Sequence, residues 1–383
     1  MGMSGPLSGI MVVSIEHAIA APFCTRHLAD LGARVIKIER PGGGDFARGY
    51  DSRARGLASH FVWVNRSKES LALDLKSPGD FNVLKSLLRQ ADVFVQNLAP
   101  GAADRMGLGY VELKTINDRL IVCDISGYGS SGPYHAKKAY DLLIQSEAGF
   151  LSVTGTEDGP AKAGCSIADI SAGMYAYSAI LAAVIQRGKT GKGCRIDVSM
   201  LECMTEWMGF PLYYALDGAA PPVPAGASHA SIFPYGPFLA GDGRTVMLGI
   251  QNEREWAKFC DKVLLQPDLQ FDERFDTNSK RSVARGELTA LILEVFGKFT
   301  AQQVIDRLES ADIANAEVRT MQQVWEHPQL LARGRWTEVK TPVGSLPALL
   351  PPALPDGFAP AMGPVPSVGE HNAAILRELE VPA

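Results

Sequence analysis

No Cys-x-x-Cys pair occurs in this chain, whose six cysteines, Cys24, Cys123, Cys165, Cys194, Cys203 and Cys260, are scattered along 383 residues. That spacing argues against a zinc site and against a disulfide framework; several of the six lie in apolar stretches and read as reduced, buried thiols. Excess positive charge is missing too. Lys and Arg number 37 against 42 Asp and Glu, a net charge of −5, so neither nucleic acid nor an anionic membrane is an expected partner. The opening MGMSGPLSGIMVVSIE has no basic region followed by a signal-length apolar core, and the cytoplasm is the expected location. The glycine fingerprint of dinucleotide enzymes is absent after the first β-rich run, where the chain reads Glu16-His17-Ala18-Ile19-Ala20-Ala21-Pro22.

What is present is a soluble, globular composition, 46% apolar and 21% charged, long enough for two domains. Strand patterns at 10–15, 35–39, 71–75, 92–96, 120–125 and 195–198 alternate with helical patterns at 22–31, 81–90, 102–106 and 199–215. This rhythm predicts an α/β fold with a doubly wound parallel sheet, which binds ligands beyond the C-terminal ends of its strands. Residues 218–228, GAAPPVPAGAS, mark a boundary. Beyond it, strands at 234–238 and 245–249 and helices at 253–264, 286–298 and 301–310 make a smaller mixed unit. The proline-dense 341–368 stretch reads as an extended return path, ending in a helix at 371–379. The Gly42-Gly43-Gly44 turn reads equally well as a flexible turn or as part of a binding loop.

The organising stretch is AKAGCSIADISAGMYAYSAILAAVIQRGKTG, residues 161–191. From Ile170 to Gln186 it is uncharged and rich in small residues, which predicts a helix packed closely on several sides and too short and small for a good membrane span. Asp169 stands at its start, where free backbone N–H groups and the helix dipole favour an ionised carboxylate. On local grounds an Asp there is more often a dipole partner than a catalyst, and Ser166 three residues earlier suggests half of a capping box. Arg40, Asn97, Arg105 and Lys138 lie at or just beyond strand ends. Each alone reads as a solvated surface residue; together they would line one crevice of the sheet, where phosphates bind.

At these residues the chain resembles the family III CoA-transferases, a group that includes formyl-CoA transferase, carnitine CoA-transferases and α-methylacyl-CoA racemase. The resemblance rests on LADLGARVIKIERPGGGD, NRSKESLALDLKS, VQNLAPGAADRMGLGY, ISGYGSSGPYHAKKAYDLLIQSEAG, SIADISAGMYA, RGKTGKGCRIDVSM and PVPSVGEHN, in one order over most of the chain. It implies a large domain built from both chain ends (1–217 and 336–383), a small inserted domain (218–335) and an interlocked homodimer. It also implies that Asp169 is a nucleophile, that Arg40, Arg105 and Lys138 hold the CoA phosphates, and that Leu73, Asn97 and Leu98 flank the CoA. Acyl-CoA and small carboxylic acids are then the partners, with no metal and no permanently bound cofactor. The chemistry is consistent: an aspartate ionised at neutral pH needs no base to attack a thioester carbonyl.

Two departures narrow the reading. The glycine run that covers the active site of formyl-CoA transferase is missing between 219 and 249; PAGASHASIFPYGPF stands there, with His229, Ser231 and Tyr235 as candidates to face the acyl group. This looks more like the branch acting on C4 and C5 dicarboxylates such as succinate, itaconate, mesaconate or malate. The racemase relatives resemble two-base catalysts with a His directly before an Asp, and here that pair is Tyr140-Asp141, so racemase is the alternative, with a catalytically silent CoA-binding protein as a third.

Overall fold

A computed structural model of the chain describes residues 5–379. Six parallel strands form its main sheet in the order β3-β2-β1-β4-β5-β6, where β1 is Met11–Ile15, β2 Arg34–Glu39, β3 Lys68–Ala72, β4 Val93–Gln96, β5 Ile121–Ser126 and β6 Arg195–Ser199. The alternation of side chains assigns each residue to a face. Val12, Val35, Val93, Val95, Ile121 and Cys123 go to one face, under helix α1 (Ala20–Asp30) and the long helix that carries Asp169. Val13, Ile36, Ile38, Phe94 and Val122 go to the other, under helix α2 (Pro78–Gln90). Both faces are covered, so central strands are apolar on both sides, the mark of a doubly wound sheet.

Strand β3 begins three residues earlier than its apolar run implies. Its first residues are charged, but Lys68 is buried against Glu16 and Glu69 pairs with Arg34 at 2.7 Å. Beyond Ala72 the chain turns off, the Asp74 N–H donating to Asp80 and the Lys76 N–H to Asp74. The free edge of β3 is blunted by the C-terminal segment: Asn372 bonds both the N–H and the carbonyl of Ala72, and His371 exchanges bonds with Ser70. The proline-dense return is not wholly extended. Trp336–Thr341 and Gly344–Leu349 form an antiparallel hairpin closed at Thr341 and Gly344. The helix expected over 199–215 breaks at Met208 into Met200–Trp207 and Gly209–Tyr214.

Two compact units are resolved. One comprises Met1–Phe150, Lys162–Phe210 and Gln329–Ala383; the other comprises Leu151–Ala161 and Pro211–Pro328. The second has a three-stranded antiparallel sheet, with Thr245–Gly249 between Tyr235–Leu239 and Asn315–Glu317. Its own core gathers Trp256, Phe259, Phe275, Leu288, Ile292 and Phe296. The helical pattern over 253–264 is an α-helix only to Lys258 and then widens into a π-turn.

Cys24, Cys123, Cys203 and Cys260 are buried, as their apolar settings imply, but Cys165 is exposed and Cys194 half-buried. Cys165 precedes the long helix in an open loop, which local polarity did not reveal.

In the first unit, helices α3 (Asp141–Glu147) and α4 (Ile167–Thr190) follow β5. Helix α4 is long and apolar enough to cross a membrane, yet its small residues Ala168, Ala172, Gly173, Ala176 and Ala183 are buried in the unit. It is not packed all round: Met174, Tyr175, Ser178, Ala182 and Ile185 form an exposed stripe. Small size matters most at Gly173, where a Cβ would stand 2.7 Å from the Ala20 carbonyl and 3.1 Å from the Phe23 ring. Only glycine lets the start of α1 approach α4 one turn beyond Asp169.

Gly173→Val is therefore expected to lower unfolding free energy by about 1–3 kcal/mol through overpacking. Gly188, on the same helix with open space around it, is the control: Gly188→Ala is expected to stabilise by about 0.5–1 kcal/mol. Urea denaturation of the two variants measures both; equal effects would remove the packing argument.

Candidate active site

The C-terminal ends of neighbouring parallel strands bring separate loops to one edge. Arg40 follows β2, Leu73 follows β3, Asn97 and Leu98 follow β4, and the loop Glu16-His17-Ala18-Ile19 follows β1 between them. Arg40 is exposed and its Nη2 donates to the Gly44 carbonyl at 3.4 Å. Leu73 is buried and Leu98 half-buried. Asn97 clamps the loop after β1: its Oδ1 accepts from His17 N and its Nδ2 donates to His17 O, both at 2.9 Å. Arg105 lies on the short helix Ala102–Arg105 after β4, and Lys138 in the segment before α3; both are exposed.

Beneath this edge lies a set of buried charges that the sequence reading did not single out. Lys68 Nζ donates to Glu16 Oε1 (2.7 Å), Pro22 O (3.0 Å) and Asn65 Oδ1 (3.1 Å). Lys37 Nζ, fully buried, donates to Asp45 Oδ2 (2.7 Å) and to Asn65 Oδ1 (3.1 Å). Burial would strip Lys37 of its proton, but Glu16 and Asp45 outweigh it and hold the ammonium above its usual range. Lys68, for which burial dominates, is lowered to about 8. Burial likewise opposes the charge on Glu16, and Lys68 and Lys37 overcome it. The set fixes loop geometry: Asp45 Oδ1 accepts from Ala18 N and Ala47 N, and Ala18 is held at φ 59°, a left-handed conformation that a residue with a side chain rarely adopts. Gly44 answers the three-glycine question in part, because at φ 62° a Cβ would meet Glu39 Oε1 at 2.6 Å. The signal that could have revealed the set is Lys37 itself, one charge within the apolar strand Val35–Ile38.

Asp169 is the third residue of α4, half-buried, and joined to the β1 loop through Ile170, which packs with Ala18, Ile19 and Phe23. Its electrostatics differ from the expectation. The N–H groups at the helix start are taken by Asp141, whose Oδ1 accepts from Ala168 N at 2.8 Å and Asp169 N at 3.2 Å; Ser166 makes no side-chain cap. Deprived of those donors, the Asp169 carboxyl is pushed up to about 7, by burial first and by the nearby Asp141 second. Tyr50, another residue the sequence reading passed over, senses Asp169, and its phenol is raised by burial, Asp45, Asp169 and Tyr140. Tyr140 precedes Asp141 and is 71% exposed.

His229 and Tyr235 belong to the second unit. Their rings stack at 5.2 Å, and His229 Nδ1 accepts from Ser231 N and Ile232 N, which leaves Nε2 to carry the proton. Among the described residues no group of three or more His, Cys, Asp or Glu side chains is gathered to hold a metal ion.

With this geometry in hand, three comparisons converge. A family description, CoA-transferase family III, matches residues 7–372. The chain is 34% identical over 378 residues to the human succinyl-CoA:glutarate CoA-transferase, covering 98% of this chain and 86% of that protein. It is 32% identical to the succinate–glutarate CoA-transferase of Agrobacterium fabrum, covering 98% and 96%. A CAIB/BAIF family protein from Brucella suis superimposes with a TM-score of 0.89 at 33% identity, covering 98% of this chain and all of that one. A match to one family model over nearly the whole length, with relatives above 30% identity across it, establishes that the chain belongs to CoA-transferase family III.

Proposed function

We propose that this enzyme moves CoA from an acyl-CoA thioester to a C4–C5 dicarboxylic acid such as succinate, itaconate, mesaconate or malate, through Asp169. The observation that carries the reading is a half-buried carboxylate with a raised pKa at the start of α4, set beside the C-terminal strand edge of a CoA-transferase family sheet. Relatives act on succinyl-CoA with glutarate or mesaconate, which supports a dicarboxylate as the acid. The ionised Asp169 oxygen attacks the thioester carbonyl; a C–O bond forms, the C–S bond breaks, and CoA leaves as the thiolate. The thiolate then attacks the Asp169 carbonyl carbon of the mixed anhydride, expelling the first acid as its carboxylate and leaving an aspartyl-CoA thioester. The second acid runs the two steps in reverse. No external base is consumed, because the nucleophile is already an anion when it reacts.

CoA is held in this reading by Arg40, Arg105 and Lys138, with Leu73, Asn97 and Leu98 beside it. His229 and Tyr235 are proposed to act in acid selection. Two subunits are proposed to interlock, in line with the exposed apolar stripe of α4, and the cytoplasm is the proposed location. The racemase alternative is disfavoured by the Tyr140-Asp141 pair: Tyr140 stands where a His base is expected, and the Asp141 carboxylate is spent on Ala168 N, Asp169 N and Gln145 Nε2.

Alanine at Arg40, Arg105 or Lys138 is expected to weaken CoA binding by about 1–3 kcal/mol each, the range for charge-assisted hydrogen bonds; calorimetry that finds all three unchanged would refute the phosphate site. Assaying CoA exchange by mass with a panel of acids is expected to give much higher kcat/KM for succinate and glutarate than for butyrate. Comparable values would remove the dicarboxylate assignment. The pH dependence follows from the raised Asp169 carboxyl: below about 7 the nucleophile is protonated, so kcat/KM should climb about tenfold per pH unit up to that point and level above it. A flat profile between pH 5 and 8 would contradict an Asp169 that must ionise to react.

A further inference from the structure

Helix α3 holds the approach to Asp169 at two points. Its first residue, Asp141, accepts from Ala168 N and Asp169 N through Oδ1, and through Oδ2 from Gln145 Nε2 at 2.6 Å. Gln145, one turn along α3 and fully buried, accepts the Ala163 N–H through Oε1 at 3.0 Å. The segment from 163 to 169 is thus hung at both ends from one pair of side chains, i and i+4 on a short helix. The segment leading into α3 is itself fixed by a close approach after β5: a Cβ on Gly127 would stand 2.2 Å from the Ala139 Cβ.

A carboxylate is a surprising choice for this clamp. Ser, Thr or Asn would accept the same two N–H groups, and none would bring a negative charge to the nucleophile. Among the described residues no positively charged side chain acts on Asp169 to offset that charge. From α3 comes Asp141; from the stretch after the β2 turn comes Tyr50, which also senses Asp45 and Tyr140; from α1 comes Phe23, without charge, which with Ala18 and Ile19 of the β1 loop packs against the neighbouring Ile170.

We propose that Asp141, braced by Gln145, is a positioning residue that orients the Asp169 backbone and, by its like charge, raises the free nucleophile in energy relative to the covalent enzyme. The proposal rests on Asp169 being the nucleophile. In the resting enzyme the Asp141 carboxylate, held on the Asp169 N–H, lies near the negative charge of an ionised Asp169. In the anhydride and in the aspartyl-CoA thioester Asp169 is neutral, and the repulsion is gone. For the exchange of enzyme carboxylate and acyl-CoA into aspartyl-CoA and free acid, the charge of Asp141 therefore pushes toward the covalent side. The raised carboxyl of Asp169 has the same origin in part, since ionising it means placing charge next to Asp141.

Asp141→Asn separates the two roles, because it retains an acceptor for Ala168 N and Asp169 N and deletes the charge. The kcat/KM inflection is expected to fall by about one pH unit, the scale of a single nearby charge. At pH 8, the equilibrium ratio of aspartyl-CoA to free enzyme, read by intact-protein mass with succinyl-CoA and succinate, is expected to drop by about the same tenfold factor. Asp141→Ser, also neutral and a good cap, carries the same two readouts should the Asn variant not fold. A cap without an electrostatic role would lower stability while leaving both the inflection and the covalent ratio at parental values, and that result overturns the proposal. A parent that forms no covalent CoA adduct overturns the nucleophile reading, and this proposal with it; a parent that forms the adduct beside an unshifted variant overturns this proposal alone.

Discussion

Two buried lysines hold the loops that follow β1 and β2 in place. Lys37 and Lys68 sit on adjacent strands with no exposed surface to speak of, and their ammonium groups gather Glu16, Asp45 and Asn65 from three loops. Such a set contributes little net stability compared with apolar packing, but removing one member leaves an uncompensated buried charge at a cost of about 3–5 kcal/mol. The constraint is therefore one of geometry. Asp45 ties the β1 loop to the turn after β2, Asn97 adds a second clamp from β4, and Ala18 is kept in a conformation it would not choose alone. Glu39 extends the set outward, to Arg48 at 2.7 Å and to Ser70, and Arg48 in turn binds the carbonyl of Pro366. The C-terminal segment thus belongs to the same scaffold as the first strand.

Against that rigid floor the helix carrying Asp169 is brought close by absence of bulk. Gly173 and its neighbouring alanines let α1 lie along α4, so the loop that opens α1 and the first turn of α4 form a single packed unit. The carboxylate there is only partly solvated, and the N–H groups at the start of its helix are taken by Asp141. It is held in a state where charge is uncomfortable, which suits the proposed task of exchanging that charge for a covalent bond and recovering it each turnover. A surface aspartate at an ordinary value near 3.8 would be ionised more readily but would gain less from becoming acylated.

The alternating pattern of strands and helices was legible because buried parallel strands are plain apolar runs and β-branched residues mark them. Boundaries failed where charges are paired across the sheet: Lys68 and Glu69 looked like loop because their partners, Glu16 and Arg34, are distant in sequence. The hairpin within 336–349 was hidden by Pro342, in its turn, and by Pro347, on a strand with only one paired edge. Asp169 stood out by its place before a long uncharged run, and the phosphate candidates by their place at strand ends. What could not be read was the identity of its neighbour. The helix rule assigns free N–H groups to the residues of that helix, whereas here Asp141, 28 residues earlier, reaches across from α3 and takes them. A contact of that separation leaves no periodic trace, and it reverses the expected sign of the effect on Asp169.

The central claim, that Asp169 forms a covalent bond to the acyl group and then to CoA, is tested most directly by interception. The enzyme is incubated with succinyl-CoA and hydroxylamine, digested, and mapped by mass. An activated aspartyl carbonyl is captured as a hydroxamate, and the account predicts one modified residue, Asp169, with none in Asp169→Asn and with turnover abolished in that folded variant. Modification at another acid, or substantial CoA transfer by folded Asp169→Asn, would contradict it.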